Sequence, residues 1–144
     1  MAGRPTAKSP KRKTVAKKRS SRASAPASAS DVYEYVCALA LALPGVELGT
    51  SYGTPAIKVK GKFMARLRSE AEGGLAIRCD FVDRQMLLQA APEAFYLTDH
   101  YLNYPMILIR LDQVRRDALP DLIERAWRMI APARLIAVYD APPP

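Results

Sequence analysis

Apolar residues recur with helical spacing near both ends of the chain and alternate with polar ones between. Val32, Val36, Leu39 and Leu43 fall at offsets of 0, 4, 7 and 11, a stripe along one face of a helix. Asp31 as N-cap with Glu34 three residues on reads as a capping box, and Pro44-Gly45 stops the helix. The segment Glu47 to Pro55, rich in glycine, threonine and proline, reads as a rigid connection with neither period. Its hydroxyls, on Thr50, Ser51, Tyr52 and Thr54, serve either the loop's own backbone or a ligand.

Alternation begins at Ala56-Ile57-Lys58-Val59-Lys60 and returns in Phe63 to Arg68, with Gly61 at the junction. The pattern predicts an antiparallel hairpin, joined by a third strand at Leu75 to Cys79. With the apolar set turned to a core, Lys58, Lys60, Arg66, Arg68 and Arg78 share the opposite, solvated face, and no acid alternates among them. A positive stripe of this kind suits phosphate groups.

Asp83 is expected to cap a short helix over Arg84 to Ala91, with Met86, Leu87 and Ala90 inward. Glu93 to Thr98 resumes as a strand leading to His100. Asp117 is a suitable N-cap for the clearest helical face in the chain: Leu119, Leu122, Ile123, Ala126, Trp127 and Ile130, with Pro120 in the first turn and Pro132 at the end. That face predicts packing on the sheet, with Trp127 as a large core residue. Leu135 to Val138 adds a final turn or an edge segment.

Between these elements, Asp99 to Leu111 gathers the single histidine, two tyrosines and an asparagine before Pro105, which opens the most apolar strand candidate. Proline is tolerated at a strand's first residue, where its missing N–H breaks no ladder bond. His100 can donate or accept a hydrogen bond, and Tyr101 and Tyr104 can both stack and hydrogen-bond. The cluster is either a connecting loop pinned by tyrosine packing or a ligand site.

Charge divides the chain differently. Residues 1–30 hold nine of the twenty-two Lys and Arg residues and no acid, whereas the remainder carries thirteen bases against fourteen acids. The formal +8 therefore belongs to the first thirty residues. Low hydrophobicity and three prolines predict a disordered tail there. Its bases Lys8, Lys11, Arg12, Lys13, Lys17, Lys18, Arg19 and Arg22 are candidate phosphate contacts. The expected organisation is a tail over 1–30, one domain over 31–139 and a flexible end over 140–144. A domain of this size supports one continuous core.

Several chemistries lack their residues. One histidine and two distant cysteines, Cys37 and Cys79, do not make a zinc quartet. No phosphate-binding glycine loop or calcium loop is present, so neither metal nor cofactor is expected. No apolar run is long enough to span a bilayer, the tail has no secretory h-region, and the cysteine usage fits a reducing, cytoplasmic setting. Ser51 or Thr54 with His100 and an acid makes a hydrolytic group only if tertiary structure assembles it, so an enzyme is the least supported class.

The motifs taken in order resemble the bacterial MmcQ/YjbR family across roughly Val32 to Val138. The resemblance rests on Leu-Pro-Gly-Val at 43–46, Ser51-Tyr52-Gly53-Thr54-Pro55, Lys58, Lys62-Phe63-Met64-Ala65, Phe95-Tyr96-Leu97-Thr98, His100 and Tyr104-Pro105. It implies an α+β fold, an antiparallel sheet flanked by helices, often described as a DNA-binding double-wing-like domain. The resemblance marks Tyr52, Gly53, Thr54, Pro55, Lys58, Lys62, His100, Tyr104 and Pro105, and assigns none of them a catalytic role. The leading expectation is a nucleoid-associated DNA-binding protein. Its tail would contact phosphates, while Lys58, Lys60, Lys62, Arg66, Arg68 and Arg78 form a second surface. The alternative is a domain that binds a small molecule or a protein through Tyr52, Thr54, His100, Tyr101 and Tyr104. A concave pocket at those residues favours the alternative; a convex Lys/Arg stripe favours DNA.

Overall fold

The computed structural model describes residues 28–69 and 72–143. The basic tail's lysines and arginines, with the disorder expected of them, lie outside the described residues. Among the described residues the fold is α+β: six strands, all antiparallel, in the order β1-β2-β3-β4-β6-β5, with four α-helices.

Helix α1 (Ala29–Leu41) starts a turn earlier than expected. Ser28 is the N-cap, its hydroxyl accepting from the Asp31 N–H at 3.2 Å, so Asp31 sits at the third helical position instead of the cap. Three of the four expected stripe residues, Val32, Val36 and Leu43, are buried; Leu39 is half-buried, and Ala40 takes the buried position beside it.

The segment read as an irregular connection is a hairpin arm. Strand β1 (Val46–Ser51) pairs with β2 (Thr54–Val59), Ser51 opposite Thr54, across a two-residue turn at Tyr52-Gly53. Both turn residues have positive φ, 53° and 79°, as a primed hairpin turn demands. Strand β1 escapes the period-2 rule because it is the sheet edge: Glu47 to Thr50 are all exposed, leaving no buried face to impose alternation. The turn at Lys60-Gly61 repeats the geometry, with φ of 51° and 81°, and delivers β3 (Lys62–Leu67). A bulge between the Ile57 and Lys58 pairings puts both Met64 and Ala65 in the core.

Strand β4 (Leu75–Arg78) pairs with β6 (Met106–Ile109), every residue of which is buried. Alternate residues serve two cores. Leu75, Ile77, Ile107 and Ile109 join the main core under α1 and α3 (Leu119–Ile130), with Trp127 fully buried. Ala76, Met106 and Leu108 meet Tyr101 in a smaller cluster on the other face, beside Phe63 and Tyr96. Helix α2 (Phe81–Ala90) and the short β5 (Phe95–Tyr96) lie at the β6 side.

Two further caps differ from expectation. Asp80, not Asp83, caps α2, accepting from the Asp83 N–H at 2.8 Å. Met86 and Ala90 are exposed, and the residue that α2 buries is Arg84. Asp117 pairs with Arg115 at 2.6 Å instead of capping α3, which is entered from a 3₁₀ turn at Arg116–Ala118. The apolar run near the C-terminus forms helix α4 (Ala133–Asp140), one residue past the expected domain end, and Arg128 holds Asp140 at 2.7 Å.

Candidate functional site

The register that builds the sheet also decides where the arginines go. Arg66 lies opposite Ala76, and Arg78 opposite Met106, so both project on the face of the smaller cluster, away from α1 and α3. The parity read from sequence is right, but the face is not a solvated one. The Thr98 to Pro105 segment folds over it through a 3₁₀ turn at Asp99–Tyr101, and the β1–β2 hairpin tip brings Tyr52 to its edge.

The result is a cleft of about 1050 Å³. Arg66, Arg68 and Arg78 line it with Tyr52, Thr54, His100, Tyr101, Tyr104 and the carboxylate of Glu72. Its volume is at the upper end of the range of small-molecule sites, roughly 300–1000 Å³. Lys58, Lys60 and Lys62 do not line it: Lys60 and Lys62 are exposed, and half-buried Lys58 is paired in register with Glu47. The six folded-domain bases named as one stripe thus divide into an arginine cleft and a separate lysine group. Acids also intervene: Glu47 beside Lys58, and Glu72 between two arginines.

The arginine side chains are nearly buried, 11% exposed for Arg66 and 9% for Arg68. Arg66 donates to the Thr54 hydroxyl at 3.2 Å and the Tyr101 hydroxyl at 3.3 Å. Arg68 donates to the Gly73 carbonyl and the Tyr96 hydroxyl, while its buried Nε–H has no acceptor among the described residues. Arg78 donates from Nε to the Phe63 carbonyl at 2.8 Å. Glu72 reaches Arg66 at 3.8 Å with one oxygen and Arg68 at 3.7 Å with the other. The Ser69 N–H and hydroxyl, then Arg68 and Arg66, hold its carboxyl below the usual carboxylate range. It is an anion at neutral pH.

Rings form the rim. His100 meets Tyr101 edge-on at 4.7 Å and lies 6.0 Å from Tyr104. His100 and Tyr104 are exposed, whereas Tyr101 is buried and belongs to the wall. Tyr52 is 91% exposed, with the Arg66 guanidinium 5.5 Å from its ring centroid. A tyrosine in the left-handed region costs roughly 1–2 kcal/mol that asparagine largely avoids. Tyr52→Asn is accordingly expected to raise the thermal midpoint by a few degrees while removing the rim ring. An unchanged or lowered midpoint would show that the turn exerts no such strain.

Arg84 positions this rim. Its guanidinium, buried in α2, donates to the carbonyls of Tyr104 at 2.8 Å, Leu102 at 3.0 Å, and Tyr101 and Met106 at 3.3 Å. One side chain thereby fixes the backbone that presents His100 and Tyr104. Nothing in the sequence names carbonyl partners some twenty residues away.

A smaller cavity, about 180 Å³, is lined by residues of α2 and α3 together with Cys79. Its Arg125 is already paired with Asp83 at 3.1 Å and Asp121 at 2.7 Å. Burial, reinforced by Asp83 and Asp80, pushes the Cys79 thiol up to about 12, which makes it a poor nucleophile at neutral pH. Among the described residues no three His, Cys, Asp or Glu side chains gather as a metal site requires.

The YjbR family model matches residues 41–129, which include both hairpins, all three cleft arginines and the His100 segment. The chain belongs to the YjbR family. Similar curated proteins are the uncharacterized proteins Mb2600 of Mycobacterium bovis and Rv2570 of Mycobacterium tuberculosis, each 34% identical over 55 residues. Those matches cover 38% of this chain and 43% of each relative, so the YjbR chain spans less than half the length of the curated relatives it matches. The crystal structure of Deinococcus radiodurans protein DR2400, a DUF419 domain, superposes with a TM-score of 0.57. It is 18% identical and covers 67% of this chain and 76% of that one, a likeness of fold.

Proposed function

We propose that this YjbR protein is a binding module that takes a small anionic ligand into the arginine cleft. The observation that carries the reading is that three arginines and one carboxylate line a concave, tyrosine-rimmed site, with two of the guanidinium side chains nearly buried. Desolvated charge is unfavourable unless compensated, and an apolar wall would serve stability as well or better. A cleft that keeps an excess of two positive charges at a site large enough for a metabolite is suited to an anion.

The test is thermal unfolding against a panel of small carboxylates and phosphates. A ligand at a hundredfold excess over its dissociation constant stabilises by about 2.7 kcal/mol. A saturable rise in midpoint is expected for the wild type and should be lost in Arg66→Met. No rise with any anion, or an equal rise in the variant, would sink the reading.

A second reading is favoured by the exposed Lys60 and Lys62 and by the nine bases before residue 30: contact with DNA phosphates, as a nucleoid-associated protein would make. Removing residues 1–27 keeps the Ser28 cap and is expected to abolish most non-specific DNA affinity with little change in unfolding midpoint. With about six to nine phosphates neutralised, log affinity of the full chain should fall against log salt with a slope on the order of −5 to −8. Full affinity in the shortened chain would place any DNA contact elsewhere.

A further inference from the structure

Resting on the anion-cleft reading, we infer that the ligand is a phosphate monoester carrying a flat ring, its phosphate seated between Arg66 and Arg68 where the Glu72 carboxylate now sits. The geometry of Glu72 defines the seat. Its two oxygens face different guanidinium groups, at 3.8 and 3.7 Å, which are close enough for attraction but longer than a tight charge-assisted bond. The carboxylate is 44% exposed, whereas the arginines it faces are nearly buried. An exposed side chain thus occupies the mouth of a buried cationic pair, and a ligand reaching that pair takes its place.

That exchange selects for charge and for acceptor number. A monocarboxylate replacing Glu72 substitutes like for like. A phosphate monoester brings close to two charges at neutral pH and three acceptor oxygens. Donor capacity is present: among the described residues Arg66 hydrogen-bonds to two neutral hydroxyls and faces the Glu72 carboxylate at 3.8 Å, beyond hydrogen-bond distance, as Arg68 does at 3.7 Å. The rings of Tyr52, His100 and Tyr104 stand on the same cleft, two of them highly exposed, so a planar group attached to the phosphate has faces to stack on.

Titration calorimetry on the full chain at about 0.15 M salt, which screens the tail, tests this with phenyl phosphate, methyl phosphate and benzoate as probes. Phenyl phosphate is expected to bind about tenfold more tightly than either of the others, because each lacks one recognised feature. Glu72→Gln leaves a neutral side chain at an exposed position and should tighten phenyl phosphate up to about fivefold, the worth of two weak, half-exposed pairs. Tyr52→Ala should remove most of the preference for phenyl over methyl phosphate. If benzoate binds as well as phenyl phosphate, or Glu72→Gln leaves affinity unchanged, the phosphate seat is wrong while the anion cleft stands. If none of the three binds wild type or Glu72→Gln, both fall.

Discussion

Arg84→Met will loosen the Thr98 to Pro105 segment and lower stability by about 2–4 kcal/mol, more than any other change at the rim of the cleft. Four backbone carbonyls accept from this one guanidinium, at 2.8 to 3.3 Å, and at least two of those contacts are buried. Hydrogen bonds to a charged donor contribute about 1.5–3 kcal/mol each, and the total is less than their sum because methionine also relieves the cost of burying a charge. Methionine fills similar space, so the loss reports the bonds and not a void. For a domain of this size the midpoint should fall by roughly 10–20 °C. Arg84→Lys will recover only part of it, since an ammonium lacks the planar fork that reaches carbonyls on both sides. Any ligand held by His100 and Tyr104 should bind more weakly in the same order. A midpoint for Arg84→Met within a degree or two of wild type would mean that the segment is held by Tyr101 packing alone.

Trp127→Ala will be more damaging still, at about 3–5 kcal/mol. The indole is fully buried beneath the sheet, Tyr139 of α4 meets it edge-on at 5.1 Å, and its N–H donates to the Pro44 carbonyl at 2.8 Å. That single side chain joins α3, α4 and the turn that follows α1. Since a whole domain is stable by only about 5–15 kcal/mol, the alanine variant should sit near its unfolding threshold at room temperature. Trp127→Phe separates the contributions: it keeps most of the ring and should cost about 1–3 kcal/mol for the orphaned carbonyl and the lost volume. Denaturant unfolding of both variants measures this, and a cost under about 1 kcal/mol for alanine would refute the central role of the residue.

The elements read correctly from sequence are those whose amphipathic period is enforced by burial. Helix α3 has a full buried stripe from Leu119 to Ile130, and β2 and β3 pair as the expected antiparallel hairpin around Lys60-Gly61, with the alternation broken only where the bulge buries Met64 beside Ala65 and where Ala56 is buried beside Ile57. The misread elements lack that enforcement. Strand β1 is an edge strand with four consecutive exposed residues, so it resembles a loop in composition, and only its two positive-φ turn residues and its pairing make it a strand. Two helices begin a turn before the sequence suggests, since Asp31 and Asp83 are plausible caps taken singly. Ser28 and Asp80, three residues before each, win by accepting those residues' own N–H groups.

For the site, sequence determined the ingredients. Alternation put Arg66, Arg68 and Arg78 on one face of the sheet, and the His100 to Tyr104 cluster stood out as polar and aromatic beside an apolar strand. Tertiary structure alone decided whether that face would be open or roofed. Period-2 patterning specifies which side of a strand a residue occupies, not what lies above that side. Two contacts remote in sequence settled it: Arg84 of α2 fixing the carbonyls of the 101–106 backbone, and the Arg66 bond to Tyr101 thirty-five residues away. Through them a set of bases expected to be solvated became the wall of a cleft.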